Sequence, residues 1–353
     1  MNGWSNLTNA MDYKIIIIGN TLESEQLGSI LVRAFQELNI LFDTSDTSWN
    51  SYAPSMKNAW GKIFFKISGK RPLEWWSFNK KIVDCINGFS PQVVLVTGIF
   101  PLTNEVFDIC SKIGTKIVNY LTDYPWNPNH KSAFFLSNLK KDDLVVSTKT
   151  KILSELIKHE VKKVHFLPFG YDAFLCHQPI KVSQVEQDLF KADISFIGTG
   201  DSERIPFLDA IASLNGFSLK IYGSAWHKLN LKKWQKLPAV FEHELRLATY
   251  CSKLSLGIVR KRNKDESTMR TFEIAACGGC GIYEDTQEHK EILAGYPDYG
   301  FFSSPEDLAK KCKWLLENPI EREQMRKIGM QIIIKDTNTY TSRLKTILEL
   351  CSK

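Results

Sequence analysis

Short apolar runs alternate with amphipathic stretches along most of this chain. "KIIIIGN" (14–20) is an unbroken β-branched run closed by Gly19, and in "ESEQLGSILVRAFQELN" (23–39) the apolar positions recur at helical spacing. Together they predict a strand, a tight turn and a helix. "QVVLVTG" (92–98) and "TKIVNYL" (115–121) are further buried-strand candidates on either side of the helical pattern "LTNEVFDICSKIG". "DLVVST" (143–148), "TKILSELIKHE" (150–160) and "KVHFLPF" (163–169) continue the alternation. Strands that are apolar on both faces and joined by helices imply a parallel sheet covered on both sides.

The pattern breaks over residues 170–193, a stretch of turn residues and mixed polarity. It restarts with "ISFIGTG" (194–200), "FSLKIYG" (217–223), "LSLGIVR" (254–260) and "CGIYED" (280–285). The fold class is therefore α/β, with two doubly wound, Rossmann-like halves and a linker near 170–190. "YTSRLKTILELC" (340–351) is a last amphipathic helix. Short-period repeats and low-complexity segments are absent. Open parallel sheets bind ligands beyond the carboxyl ends of their strands, which directs attention to the residues just after each strand.

A chain of 353 residues exceeds what one core ordinarily serves, in agreement with two domains. No apolar run approaches the roughly 20 residues of a membrane-spanning helix. "MNGWSNLTNAMDYK" lacks the basic patch and apolar core of a secretory signal, so a cytoplasmic location is expected, and Met11 is an alternative start. The sequon at Asn6 then carries no meaning. Eight scattered cysteines suit reduced core thiols, and the CxxC of Cys277 and Cys280 has no companion pair that would make it a metal or redox motif. The net charge of +6 favours anionic ligands or surfaces in general.

Three strand ends carry candidate chemistry. After "ISFIG", Gly198, Gly200 and Arg204 open a helix; the turn reads either as a phosphate cradle of amides and a guanidinium, or as a plain turn with a surface arginine. Gly223 follows "KIY" and precedes Trp226, which reads either as a platform for a planar base or as core packing. After "LSLGIV", Arg260, Lys261, Arg262 and Lys264 form a cationic loop suited to a diphosphate, or simply a solvated loop. A helix starting near Thr268 leaves Asp265 in the loop and places Glu273 inside the helix, where the two carboxylates can hold different hydroxyls of one ligand. Ala275, Ala276, Gly278 and Gly279 allow close packing of that helix, and Gly279 is placed to end it.

"DESTMRTFEIAACGGCGIYED" (265–285) resembles the donor-binding segment of group-1 glycosyltransferases with the GT-B fold, particularly the CgeB-like branch, whose motif reads approximately R-x-F-E-x-x-A-x-G. The wider retaining superfamily carries E-x7-E, present here as Asp265-x7-Glu273, where the aspartate has the shorter reach. "YLTDYPWN", "HFLPFGYDAFLCHQP", "ISFIGTGDSERIPFL" and "LKIYGSAW" extend the likeness to residues 115–350.

The resemblance implies two Rossmann-like domains facing across a cleft. Residues 1–175 would take the acceptor and 190–335 the nucleotide-sugar donor, with 336–353 crossing back to the N-terminal domain. It further implies that Glu273 binds the donor's ribose, Asp265 faces the transferred sugar and Arg270 supports the nucleotide or phosphate.

Glycosyl transfer needs the departing diphosphate stabilised, which cations and helix dipoles can do. No DxD occupies a convincing strand-end loop, so transfer is expected to need no metal and no cofactor beyond the nucleotide sugar as co-substrate. Arg204, Arg260 and Lys261 are the candidates for the diphosphate. Retention follows from the resemblance; inversion would require a base, for which Asp123 after "KIVNYLT" is the best candidate, its other reading being a cap or turn residue. His177 and His243 are weaker candidates.

Residues 56–81 interleave seven Lys and Arg with six aromatics, among them Lys66, Lys70, Arg71, Trp75 and Trp76. This mixture fits an anionic membrane surface or lipid-linked acceptor, single-stranded nucleic acid, or aromatics packed inward. The leading expectation is a cytoplasmic glycosyltransferase of surface-polysaccharide synthesis, such as lipopolysaccharide or capsule, peripheral on the inner membrane face and acting on a glycan or lipid-linked acceptor. The alternatives are a phage-type DNA glycosyltransferase, with nucleic acid disfavoured, and an inactive nucleotide-binding protein of the same fold. "IIIIGNTLESEQLG" lacks the dinucleotide fingerprint of a dehydrogenase.

Overall fold

A computed structural model describes residues 13–128, 131–176 and 180–352; His177 lies outside them. The chain divides into two compact units. The first gathers Met1–Pro168, Arg262–Lys264 and Tyr340–Lys353, and the second Phe169–Lys261 and Asp265–Thr339.

The first unit holds six parallel strands: β1 (Lys14–Gly19), β2 (Leu41–Asp46), β3 (Val93–Thr97), β4 (Lys116–Leu121), β5 (Leu144–Ser147) and β6 (Val164–Phe166). Their order is β2-β1-β3-β4-β5-β6. Along β1 the pleat sends Ile15 and Ile17 into one core and Ile16 and Ile18 into another. All four are fully buried, and each contributes roughly 1.5–3 kcal/mol. The helix Tyr340–Ser352 closes the first of these cores with Leu344, Ile347 and Leu348, and its Arg343 Nε donates to the Pro168 carbonyl at 2.9 Å.

The second unit repeats the plan with β7 (Ala192–Ile197), β8 (Leu219–Tyr222), β9 (Gln235–Leu237), β10 (Ser252–Gly257), β11 (Gly281–Glu284) and β12 (Phe301–Phe302), ordered β12-β11-β10-β7-β8-β9. The linker expected near 170–190 is structured and groups with this unit. Tyr171 bridges to Thr339, and the helix Gln184–Phe190 starts on a capping box in which Ser183 and Glu186 satisfy each other's backbone N–H.

In each sheet the chain first winds to one side of its opening strand and then returns to the other side. The order therefore reverses between β1 and β3, and again between β7 and β10. Crevices for ligands form at such reversals, outside the carboxyl ends. Among the described residues no helix is long and apolar enough to cross a membrane.

Candidate functional site

In the second unit the residues after β7, β10 and β11 come together around the helix Met269–Ala276. Thr268 caps this helix in a capping box with Thr271. The Thr271 hydroxyl accepts from the Thr268 N–H (3.0 Å) and lies 2.9 Å from His289 Nε2, while His289 Nδ1 is 2.7 Å from the Glu284 carbonyl. A carbonyl only accepts, so Nδ1 carries the proton and Nε2 accepts from Thr271. One buried imidazole thus ties the end of β11 to the start of the helix.

Burial pulls the His289 imidazole down to about 4, against the opposing influence of the Glu284 carbonyl, Glu266 and Asp285. Below its ordinary value near 6.5, the unfolded chain takes up a proton that the native state refuses, so stability falls as pH drops from about 6.5 towards 4. Between pH 7 and 4.5, urea melts of the native chain are expected to lose about 2 kcal/mol more than those of His289→Gln. Equal losses would remove His289 as the cause.

Helix end and helix position are set by small residues. Gly278, at φ 74°, takes the left-handed position that closes the helix, a role the sequence placed on Gly279. Gly279 instead permits close approach, since a Cβ there would sit 2.5 Å from Thr249 Cγ2. Cys277 and Cys280 are both buried and free, and burial pushes the Cys280 thiol up to about 12, which suits core packing rather than redox chemistry.

Three ion pairs line the strand ends, and all have the same sense. Arg260 Nε reaches Asp265 at 3.1 Å, with the arginine side chain 41% exposed and the aspartate 1%. Lys261 reaches Glu284 at 3.4 Å (67% and 10%), and Arg270 pairs with Glu273 (29% and 11%). Arg270 Nε also donates to the Ile197 carbonyl at the end of β7 (3.3 Å). The carboxylates lie inward and hold the cations at the surface, which leaves a positive rim built on fixed counter-charges. Asp265 is accordingly a buried partner of Arg260, where the resemblance implied that it faces the transferred sugar; its short side chain folds back into the loop that Arg260 begins.

Arg204 is the second correction. It is buried, stacked 4.9 Å from the Phe196 ring, and donates to the carbonyls of Thr199 (2.7 Å) and Ile258 (3.3 Å). Burial first, and then the charge of Arg260, lowers it to about 10, so it stays protonated at neutral pH. Charge-assisted bonds of this kind contribute roughly 1.5–3 kcal/mol each. Arg204 therefore cross-braces the residues after β7 and β10 beneath the rim, and is not placed to grip a diphosphate.

The glycines are corrected likewise. Gly198 N–H donates to the Tyr222 carbonyl (2.9 Å) and Gly200 N–H to the Ser224 carbonyl (2.8 Å), because the β7–β8 pairing continues past the strand ends. Gly223, at φ 145°, lets the two loops touch: a Cβ there would lie 2.0 Å from the Gly198 oxygen. Trp226 is buried and donates from Nε1 to that same oxygen at 2.7 Å. The loops after β7 and β8 are packed scaffold, and the partly exposed cations at these strand ends are Arg260, Lys261 and Arg270, each paired with a carboxylate.

In the first unit, a cavity of about 380 Å³ opens at the carboxyl ends of β2, β3 and β4. Its lining includes Thr47, Tyr52, Phe65, Lys70, Thr97 and Asp123. Asp123 Oδ1 accepts from Asn263 Nδ2 at 3.1 Å, and Asn263 Oδ1 accepts from the Tyr124 N–H at 2.9 Å. The sequence singled out Asp123 and Lys70 separately, and the fold gathers them into one cavity.

The other residues of the basic, aromatic stretch divide. Trp75 is buried and donates from Nε1 to the Pro101 carbonyl (2.6 Å), and Arg71 stacks on Trp75 (4.7 Å) and Phe134 (3.4 Å) with its Nε on the Ser68 carbonyl. Both are packing residues, contrary to an acceptor or membrane role, because the turn at Ser68 folds the arginine onto the rings. Lys66 and Trp76 are exposed. A larger depression of about 520 Å³ sits at the amino ends of β4, β5 and β6, where Lys162, Lys140 and Lys141 are taken up by Asp143, Glu160 and Asn104.

Glu284, Asn263 and the His289 network were not anticipated. Glu284 could have been, since it is the last residue of the strand within "CGIYED". His243 pairs with Glu186 at 3.1 Å on an exposed surface, away from these strand ends.

Residues 204–349 match a protein-family model described as glycosyl transferase-like. The fold is similar to that of the Anabaena protein HepE in complex with UDP and glucose, at 11% identity and a TM-score of 0.65, covering 97% of this chain and 100% of that one. Sucrose-phosphate synthase from Thermosynechococcus elongatus gives 11% and 0.65 over 96% and 98%. A putative UDP-N-acetylglucosamine 2-epimerase from Listeria monocytogenes gives 13% and 0.56 over 94% of each chain. A comparison with curated proteins gave no match. The family match covers residues 204–349, and the likeness to these solved structures shows the fold, the GT-B fold with two six-stranded parallel sheets.

Proposed function

We propose that the second unit binds a nucleoside-diphosphate sugar and the first unit a hydroxyl acceptor, a glycan or a lipid-linked saccharide, to which the sugar is transferred. The observation that carries this reading is the outward-facing set of Arg260, Lys261 and Arg270, each seated on an inward carboxylate at the order reversal of the second sheet. Preorganised cations of this kind stabilise charge that grows on a leaving diphosphate, and they need no rearrangement when it does. Uridine nucleotides are the first donors to test, since HepE binds UDP with glucose.

The reaction breaks the bond between the anomeric carbon and the diphosphate oxygen, the electron pair leaving with the diphosphate. The acceptor oxygen bonds to the anomeric carbon, and its proton passes to the departing phosphate. This front-face course retains configuration and needs no dedicated protein base. Retention and the role in surface glycans rest on the resemblance of the 265–285 segment.

Thermal shifts against a panel of nucleotide sugars test the donor, because a ligand present at 100 times its Kd stabilises the native state by about 2.7 kcal/mol. Transfer to the matching acceptor is expected to continue in excess chelator; complete, metal-reversible loss would overturn the metal-free mechanism. Conversion of the donor sugar in the absence of any acceptor would turn the reading towards an epimerase.

A further inference from the structure

The helix Ala59–Ile67 presents a face that nothing among the described residues of the first unit covers. Trp60, Ile63, Phe64 and Ile67 recur at helical spacing on one side and are exposed, Trp60 by 81% and Ile67 by 78%. The opposite side is fixed. Gly61 is the helix's buried residue, and a Cβ there would lie 2.0 Å from the Ser55 carbonyl oxygen. Ser55 is held in turn by Glu74, which accepts from its N–H (2.9 Å) and its hydroxyl (2.7 Å). The apolar face is therefore set outward by close packing behind it. Leu73 and Trp76 follow in sequence and are also exposed.

Charge narrows the choice of occupant. From Thr47 to Leu73 the chain carries four lysines (Lys57, Lys62, Lys66 and Lys70), besides Arg71 packed on the rings, and no carboxylate. A second copy docking through a two-fold axis would set this patch against itself, cations on cations. Single-stranded nucleic acid would use the rings, but Ile63, Ile67 and Leu73 offer no stacking surface. An anionic bilayer accepts both halves of the pattern. Tryptophan and aliphatic side chains enter the headgroup and acyl boundary, while the flanking lysines meet lipid phosphates.

We infer that this helix docks the protein on an anionic lipid surface. The same helix and the turn after it supply Phe65 and Lys70 to the cavity that holds Asp123. On the acceptor reading above, on which this clause alone rests, a lipid-anchored acceptor would meet that cavity at the bilayer surface.

Sedimentation of the full chain with vesicles tests the inference. Binding is expected to phosphatidylglycerol–phosphatidylcholine vesicles and to fall at least about tenfold on phosphatidylcholine alone, since each cation near the surface contributes about a fivefold factor. The double variant Trp60→Glu/Ile67→Glu is expected to lose partitioning by at least about tenfold, and Lys62→Glu/Lys66→Glu by a similar factor with a weaker salt dependence. UDP binding, measured beside it, is expected to be unchanged in both. Absent vesicle binding, or binding indifferent to the apolar pair, overturns the docking face. So does a concentration-dependent dimer, or oligonucleotide binding, that Trp60→Glu/Ile67→Glu abolishes. Failure of every nucleoside diphosphate and nucleotide sugar of the panel to bind the native chain overturns the donor reading and leaves the docking face standing.

Discussion

Glu273→Ala is expected to weaken nucleotide binding by about a hundredfold or more and to leave the fold intact. The carboxylate sits in the middle of the helix Met269–Ala276, largely buried and paired with Arg270, which in turn reaches the end of β7. On the donor reading its oxygens accept from two ribose hydroxyls. Bonds to a charged group contribute roughly 1.5–3 kcal/mol each, so losing two gives a factor of about 10²–10⁴. The substitution also releases Arg270 from its partner and weakens the diphosphate side of the site. Stability changes less: Arg270 is nearly a third exposed, so the broken pair falls well short of the 3–5 kcal/mol of a fully buried one. Titration calorimetry with UDP, alongside circular dichroism and a thermal melt, separates the two effects. Unchanged affinity takes Glu273 out of the donor site, and a collapsed melt assigns it to the scaffold. Glu273→Gln keeps the shape without the charge and is expected to fall between the two.

The strands that could be read from the chain are those rich in apolar residues, and they include the half-buried edge strand β6. β1, β3, β4, β5, β7, β8, β10 and β11 are buried along most of their length because a strand inside a parallel sheet is covered on both faces, even where polar residues such as Asn119, Ser195 and Ser255 interrupt the apolar run. β2 ("LFDTSD"), β9 and β12 leave no such signal in the chain: they are short or polar edge strands, and an edge needs far less apolar character. At the site, residue type was legible and the direction of each side chain was not. Gly198 and Gly200 announce a turn, but no pattern along the chain says that their amides continue the pairing with the residues after β8. Arg204 and Arg260 both follow strands, yet one is buried under the rim and the other forms it. Trp75 and Trp76 are adjacent on one helix about 100° apart, so one packs inward and the other faces solvent. The pairing of Asp123 with Asn263 spans 140 residues and exists only in the folded chain.

Asp123→Asn is expected to lower acceptor kcat/KM by about 10- to 100-fold, mainly through KM, with UDP affinity unchanged. Asparagine keeps an oxygen for Asn263 Nδ2, so the loop that bears Asn263 stays anchored. What the variant loses is the negative charge in the cavity that also holds Lys70, Thr97 and Tyr52. A carboxylate that holds an acceptor hydroxyl contributes through one charge-assisted bond, about 1.5–3 kcal/mol, and that sets the expected factor. In a front-face transfer the departing phosphate takes the proton, so kcat changes little. A general base behaves differently: its removal costs about 10²–10⁴ in kcat and abolishes the acidic limb of the pH profile. A loss of that size confined to kcat would make Asp123 the base and the reaction inverting, which the anomeric configuration of the product then shows independently. A change of less than about threefold in both constants would leave Asp123 as the anchor of Asn263, and acceptor recognition would have to be sought at Lys70 and the aromatic wall of the cavity.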